Sequence, residues 1–382
     1  MITRTINGIT FDINPRKSSS IICDSDVAQF INKDLSLFFD YLYEQKKEYT
    51  PMVTTWEITD KCNFNCPFCY IHNNSVKCDN LPSIERILQD IDYMVSRGLL
   101  MVYLTGGEVL TYSDFERLYR YLKDSGVFVV LLTNLSLLCS SHIELFKELP
   151  PYRITTTIYG LTKSQFEQAT GVTNIEPSLI LKNIEQLHNL GINITCQMPV
   201  NKLTLSDYLD IGEWCYERGI KFNSSNGLYS SYSGISRDEF QVDDETFKLL
   251  KEQVKRASVI TSPADSPKNK FGFKHHFDCT SGKHTFVISY DYKLRPCFAI
   301  YGDNAKSFNA TNSIAQAFKQ MEKYLNEYKK QVIDYCEGCN AVDICSECLY
   351  TQTDKDNLKT YMINICKKNQ GTFAELLNST TT

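Results

Sequence analysis

The feature that most restricts the fold of this chain is a repeated change of hydrophobic period between Val53 and Gly227. Six short apolar runs rich in β-branched and aromatic residues start at Val53 (VTTWEIT), Leu100 (LMVYLTG), Val127 (VFVVLLT), Arg153 (RITTTIY), Ile192 (INITCQM) and Ile220 (IKFNSS). Between them lie stretches with helical spacing, among them SIERILQDIDYMVSRG, SDFERLYRYLKDSG, PSLILKNIEQLHNLG and LSDYLDIGEWCYERG, each ending in a glycine suited to a helix C-cap. Strands of this kind separated by helices belong to a parallel sheet, open or curved into a barrel, because the helices cover the faces that the strands must bury. In such folds ligands sit at the carboxyl ends of the strands.

Directly after the first run comes EITDKCNFNCPFCY, in which Cys62, Cys66 and Cys69 form a C-x3-C-x2-C array. Three thiolates in one short loop can reach three corners of a soft metal centre, iron-sulfur or zinc, with a fourth corner left open. A Cys3His zinc knuckle completed by His72 is the competing reading, and the triplet alone does not separate the two. Location does: a structural knuckle has no need of the end of the first strand of a parallel sheet. The chain of 382 residues holds 15 cysteines, which in a reducing compartment serve as metal ligands more often than as disulfides. Cys23, Cys78, Cys139, Cys196 and Cys215 are scattered, and small buried hydrophobes are expected there.

A net charge of -5 gives no reason to expect nucleic acid or an anionic membrane as a partner. No apolar run approaches the ~20 residues that span a bilayer, and MITRTINGITFDINPRK lacks the apolar core of a signal peptide, so a cytoplasmic protein is expected. Residues 1–50 read as a small accessory unit: INGITFDIN alternates like a strand, NPRKSSS is a turn, and DSDVAQFI and DLSLFFDYLYEQKK have helical period. A flap packed on the main domain is favoured over a docking module for a partner peptide. The main domain is expected over 51–228. A bridge over 229–278 follows, with turn-rich LYSSYSGISRDEF, helical DDETFKLLKEQVKRA and the loop SPADSPKNK. Tyr229, Tyr232, His275 and His276 in it could face a substrate.

A second cysteine-rich region is expected over 279–370, with a tail over 371–382. Cys279 precedes the strand-like TFVISYDYKLRPC, which ends at Cys297, and Cys336, Cys339, Cys345 and Cys348 stand in C-x2-C-x5-C-x2-C order before Cys366. A zinc ribbon could use four of these seven but leaves three unexplained.

The array followed by Tyr70, LTGGE ending the second strand (Gly106, Gly107, Glu108), LLTN ending the third (Thr133, Asn134) and TTTIYG ending the fourth (Thr157, Gly160) together resemble the radical S-adenosylmethionine (SAM) enzymes over about residues 53–227. The later cysteines resemble the SPASM domain that follows the barrel in many peptide-modifying members. The resemblance implies an α/β fold, a partial (β/α)6 TIM-like barrel with a small cysteine-rich α+β SPASM domain carrying iron-sulfur clusters. It also implies three 4Fe-4S clusters. Cys62, Cys66 and Cys69 would hold the one that binds S-adenosyl-L-methionine; Cys279, Cys297 and Cys348 would hold an inner auxiliary cluster; Cys336, Cys339, Cys345 and Cys366 would hold an outer one, with the roles of Cys345 and Cys348 open to exchange because the gap between them is one residue shorter than the usual form. The inner cluster would have three thiolates, leaving one iron open to a substrate thiolate or amide unless Asp291 or His284 closes it. Gly106 to Glu108 would receive the methionine amino group, Tyr70 would lie beside the adenine, and Asn134 and Thr157 would complete the cofactor site. In physical terms, glycines let backbone approach closely and a carboxylate accepts from an ammonium.

The implied activity is reductive cleavage of the cofactor to methionine and a 5'-deoxyadenosyl radical that abstracts hydrogen from a peptide or protein. A maturase of a ribosomally made peptide that forms a thioether or other crosslink is favoured, fed by an electron donor such as flavodoxin or ferredoxin. The alternative is an anaerobic sulfatase-maturing enzyme that makes formylglycine. Those enzymes typically carry an aspartate base directly after the position of Cys297, where this chain has Phe298; Asp291 and Asp303 are substitutes, each more ordinary as a turn residue. The alternative outside the enzymes is a zinc or iron-sulfur binding protein. A second departure lies on the fourth strand, where many relatives read Ser-x-Asp-Gly with an arginine beyond. Here it reads Thr157, Ile158, Tyr159, Gly160, which leaves the partner of the cofactor carboxylate unassigned, with Lys163 and Lys182 as candidates.

Overall fold

The computed structural model describes residues 1–6, 9–18, 21–23, 51–71, 82–231, 234–257, 281–297 and 306–336. The six runs form six parallel strands in the expected order: β4 (Val53–Glu57), β5 (Met101–Thr105), β6 (Phe128–Thr133), β7 (Arg153–Thr157), β8 (Ile194–Pro199) and β9 (Lys221–Ser225), each paired with the next. They alternate with helices α1 (Ile84–Ser96), α2 (Phe115–Asp124), α3 (Ser140–Glu148), α4 (Lys163–Thr170), α5 (Pro177–Asn189) and α6 (Tyr208–Glu217). The local reasons are those of the sequence. In α1, Ser83 caps the first turn by accepting from the Arg86 amide, and Ile87, Ile91 and Met94 form a buried face at helical spacing. Burying each such side chain contributes about 1.5–3 kcal/mol. One continuous core runs from Trp56 through Leu104, Leu131 and Ile154 to Phe222.

The sheet does not stop at β4. TFVISYDYKLRPC, expected as one strand, is a hairpin of β10 (Thr285–Ile288) and β11 (Lys293–Arg295), with β12 (Phe308–Asn309) beyond it. The chain reverses at Ser289 to Tyr292, where the Tyr292 amide donates to the Ser289 carbonyl (2.8 Å), Ser289 Oγ donates to Asp291 Oδ1 (2.5 Å) and Tyr292 takes a left-handed φ of 55°. Strand β10 pairs in parallel with β4, giving one nine-stranded sheet in the order β12-β11-β10-β4-β5-β6-β7-β8-β9. The hairpin that leads to Cys297 is thus built onto the strand that leads to Cys62. After β9 come the expected helix α7 (Asp244–Ala257) and, after β12, α8 (Ile314–Cys336).

At the other end, INGITFDIN is not one strand. β1 (Ile2–Ile6) and β2 (Ile9–Ile13) pair antiparallel, with β3 (Ile21–Cys23) on β2. This sheet covers the amino-terminal end of the larger one, packing Ile6, Phe11, Ile13 and Ile21 on Met52, Leu100, Met101 and Phe128. Arg4 seals the join. Its guanidinium donates to the carbonyls of Val95 (3.2 Å), Leu99 (2.8 Å), Ser125 (3.1 Å) and Gly126 (3.3 Å), around the C-terminal ends of α1 and α2, where the helix dipole favours a cation. Burial lowers its pKa to about 10. The helices expected within 24–50, the loop SPADSPKNK, and Cys78, His72, Tyr232, His275, His276, Phe298 and Asp303 lie outside the described residues, as do Cys279, Cys339, Cys345, Cys348 and Cys366. Cys336 ends α8.

Candidate active site

The carboxyl ends of the strands open onto a cavity of about 540 Å³. Cys62, Cys66 and Cys69 all face it, together with Tyr70, Gly106, Gly107, Thr133, Asn134 and Thr157 from the cofactor motifs and Tyr229 from the following segment. Two motif residues do not line it, Gly160 and Glu108; the Glu108 carboxylate is buried beneath the strand ends and is used by the protein itself. Thr133 Oγ1 (2.6 Å) and the Leu110 amide (3.0 Å) donate to one oxygen, and the Asn134 amide (2.6 Å) donates to the other. Burial pushes the Glu108 pKa up, against these three donors. Glu108 therefore welds the ends of β5 and β6.

The glycines have a comparable use. A Cβ on Gly106 would strike the Thr59 carbonyl, and one on Gly107 the carbonyls of Asp60 and Lys61. That contact is made by backbone bonds from Gly107 to Thr59 (2.8 Å) and from Glu108 to Lys61 (2.8 Å). The turn after β5 is a seat for the start of the cysteine loop as well as a wall of the cavity. Between the cysteines, Asn63 is held by Asn134 Nδ2 (3.0 Å) and donates to Ser136 Oγ (2.8 Å), and the Asn65 amide donates to the Thr170 carbonyl (2.7 Å). Gly171, left-handed at φ 68°, ends α4 against Asn65, where any Cβ would meet the Asn65 carbonyl. Asn134 also accepts from the Ser136 amide and hydroxyl, and Leu135 beside it takes a positive φ of 60°. Phe64 meets Tyr159 and Phe166 edge-on, with centroids 5.8 and 5.5 Å away. The two asparagines of CNFNC, Arg237 (which donates to the Cys69 carbonyl) and Glu57 are site residues that the motifs did not reveal. Glu57 ends β4 as a lone carboxylate on an apolar strand, accepting from Tyr70 Oη (2.8 Å) and from the Tyr290 amide of the β10–β11 turn (3.2 Å).

Burial raises the Cys62 thiol to about 11, and the neighbouring charges of Glu108 and Cys69 add to it; Cys66 is pushed up by burial and then by Cys69 and Cys62. Three thiols that oppose one another's ionisation need a cationic group to become thiolates together. The three cysteines share one cavity, and three thiolates from one loop are a donor set that iron-sulfur clusters take, so the residues present fit such a cluster.

The opposite wall is made by the ends of β7 to β9: Thr155, Thr157, Gln197, Asn223, Ser224 and Ser225, then Leu228 and Tyr229. Among the described lining residues there is one carboxylate, Asp60, and no lysine, arginine or histidine. Lys163 is instead paired with Glu176 on the surface, and Lys182 is exposed on α5, so neither is brought to the cavity. Asn223 Oδ1 is buried with no hydrogen-bond partner. Burial raises the Tyr229 pKa. Cys196 and Cys215 are buried as expected. Cys139 is not: it is exposed at the N-cap of α3, 3.2 Å from His142 Nδ1, with its pKa lowered first by Ser141. LLCSSH reads as the continuation of an apolar run, but the helix starts at Ser140 and leaves the thiol outside.

Residues 56–215 match the family model of the Radical SAM superfamily. The subtilosin biosynthesis protein AlbA of Bacillus subtilis is 22% identical over 303 residues, covering 76% of this chain and 67% of AlbA. A GTP 3',8-cyclase of Aliarcobacter butzleri is 25% identical over 291 residues, 70% of this chain and 87% of that protein. Among solved structures, Streptococcus suis SuiB bound to S-adenosylmethionine shares the fold at 16% identity and a TM-score of 0.58, over 82% of this chain and 85% of SuiB. The AdoMet-bound anSMEcpe shares it at 14% identity and a TM-score of 0.56, over 86% and 98%. The stretch that builds β4 to β8 and the cysteine loop is therefore a radical SAM domain.

Proposed function

We propose that this protein is a radical SAM enzyme that modifies a peptide side chain, a maturase of a ribosomally made peptide that closes a thioether or other crosslink. The observation that carries this reading is the asymmetry of the cavity, with three thiols and the glycine turn on one wall and a neutral, hydrogen-bonding wall opposite that reaches out to Tyr229. A peptide segment offers the amide donors and acceptors that such a wall can take. AlbA acts in the biosynthesis of a bacteriocin, and SuiB has been seen bound to its precursor peptide SuiA, which supports a peptide as the substrate class.

Cys62, Cys66 and Cys69 would hold a 4Fe-4S group, which when bound would supply the electron for reductive cleavage of S-adenosylmethionine. The chain's own part is to orient and to shield. Gly106 and Gly107 present close backbone to the methionine end, Asn134 and Thr157 flank it, and Tyr70, braced by Glu57, offers its ring to the adenine. Glu108 acts here through the strand ends that it ties together. The carboxylate of the cofactor would be met by neutral donors, since no described cation lines the cavity. The remaining cysteines, Cys279, Cys297, Cys336, Cys339, Cys345, Cys348 and Cys366, would hold the two auxiliary clusters. Flavodoxin or ferredoxin would deliver the electron.

The sulfatase-maturing reading keeps support from the fold shared with anSMEcpe. Asp291, one substitute for the missing base, argues against it: burial would raise its pKa, but Lys293 at 2.7 Å and Ser289 hold it low, as a turn carboxylate and a weak base. The test is anaerobic incubation of the reconstituted protein with cofactor, reductant and candidate peptides from neighbouring genes. A maturase gives 5'-deoxyadenosine and a peptide lighter by two hydrogens, with one thiol fewer where the crosslink is a thioether. Conversion of a sulfatase peptide to formylglycine, with no crosslink in any candidate peptide, would replace the proposal.

A further inference from the structure

The loop that carries the three cysteines is gripped at four places among the described residues. Three grips come from the radical SAM domain: the glycine turn on Thr59 and Lys61, Asn134 and Ser136 on Asn63, and Thr170 on Asn65. The fourth comes from beyond it. Arg237, 6% exposed, donates from Nε (3.1 Å) and Nη2 (2.8 Å) to the carbonyl oxygen of Cys69. Three residues on, Phe240 meets Phe68 edge-on with centroids 6.4 Å apart.

The segment that bears Arg237 is closed on itself. Asn226 Nδ2 donates to the Val242 carbonyl (3.3 Å), Gln241 Nε2 donates to the Asn226 carbonyl, and the Lys202 amide after β8 donates to the Phe240 carbonyl (3.0 Å). Its first residues, Gly227, Leu228 and Tyr229, line the cavity. One segment thus faces the substrate space at one end and holds the last of the three cysteines at the other.

We infer that Arg237 is a positioning residue for the iron-sulfur group, acting through the Cys69 backbone from the segment that also forms the substrate-facing wall. This rests on the reading that Cys62, Cys66 and Cys69 hold that group. A guanidinium fork on one carbonyl fixes the peptide plane, and with it the direction of the Cys69 side chain. Hydrogen bonding and charge just outside the ligands set both how firmly a cluster is retained and how readily it is reduced. Lysine keeps the charge but not the fork.

The experiment uses the full chain, reconstituted anaerobically without peptide, as wild type, Arg237→Lys and Arg237→Met. The Cys62/Cys66/Cys69→Ala protein serves as the blank for signals from other clusters. Iron release to a chelator and the midpoint of the first cluster, followed by electron paramagnetic resonance during a redox titration, are read against that blank. Arg237→Met is expected to shift the midpoint to more negative values and to release iron several-fold faster. Arg237→Lys should recover the midpoint while still releasing iron fast. Wild-type midpoint and release rate in Arg237→Met overturn the inference. Should Arg237→Met fail to fold, Arg237→Lys decides alone, and a wild-type release rate there overturns it. If the wild-type chain binds no iron that depends on the three cysteines, the underlying reading fails, and the blank shows which of the two has gone.

Discussion

The wall built from the ends of β4 to β6 and the wall built from the ends of β7 to β9 use polar residues in opposite ways. On the first, Glu108, Asn63 and Asn134 spend their hydrogen bonds on one another and on neighbouring backbone, so the cysteine loop is held before anything binds. On the second, Asn223 keeps an orphaned, buried acceptor and Gln197 adds a neutral amide to the lining, while the Thr155 and Ser225 hydroxyls accept from Arg153 Nε (3.3 Å) and the Gly227 amide (3.1 Å). A buried polar atom left without a partner costs about 1–3 kcal/mol. Such a cost is tolerable where a ligand relieves it. In the proposed reading the first wall is preorganised for the cofactor and the second takes the substrate.

The contrast predicts separable losses. Replacing Cys62, Cys66 and Cys69 together with Ala should take 5'-deoxyadenosine production to background while the purified protein keeps the iron of any other clusters. Cleavage that survives the triple replacement, measured by chromatography of the nucleoside, would remove the first wall from the chemistry altogether.

Next in size is Glu108→Gln. Glutamine can keep two of the three donors on its oxygen, but its amide nitrogen then faces the Asn134 amide, donor against donor. The expected cost is about 1–3 kcal/mol in chemical denaturation of the cofactor-free protein. Because Asn134 and the glycine turn move with it, cofactor affinity should fall about tenfold, the equivalent of about 1.4 kcal/mol. Weaker binding with unchanged stability would mean that Glu108 reaches the cofactor directly.

Asn223→Ala probes the other wall. It removes an unsatisfied acceptor, so the stability of the empty protein should hold or rise slightly. Turnover of peptide should fall by about tenfold if one hydrogen bond near 1.4 kcal/mol is lost to the substrate. Cofactor cleavage without peptide should not change. Equal loss of both activities would erase the distinction between the walls.

The six parallel strands and the first-wall motifs were legible in the sequence because each is local: apolar runs of strand length, glycine caps, and cysteines within one loop. What escaped was set by distant partners. Arg237 meets Cys69 across 168 positions and Glu57 meets Tyr290 across 233, so nothing near either residue signals its role. The pairing of β10 with β4 is equally remote, and it turns an expected separate strand into an extension of the main sheet. INGITFDIN misled for a local reason, since its alternation runs through the break between β1 and β2. Glu108 was found by motif and given a ligand as partner, whereas the hydroxyl and amides that it holds lie on the turn after β5 and at the end of β6.

The smallest effect lies outside both walls, in the turn that joins β10 to the first wall. Asp291 is partly desolvated, which alone would raise its pKa, but Lys293, Ser289 and Arg295 bring it below the ordinary carboxylate range. For a carboxyl group depressed on folding, the stabilisation is fully present above the unfolded pKa and disappears as pH falls through the folded one. Asp291→Asn should therefore destabilise at neutral pH and lose its effect in acid. A charge-assisted bond contributes about 1.5–3 kcal/mol, and the half-exposed Lys293 lowers that toward about 1 kcal/mol. Because the Tyr290 amide of this turn donates to Glu57, which holds Tyr70, the same substitution should weaken cofactor binding slightly at neutral pH. Denaturation curves at pH 7 and near pH 2, below the depressed folded pKa, check the first expectation, and cofactor titration at pH 7 checks the second. A destabilisation that persists in acid would assign the turn's stability to its backbone bonds, and an unchanged affinity would disconnect the hairpin from the cofactor wall.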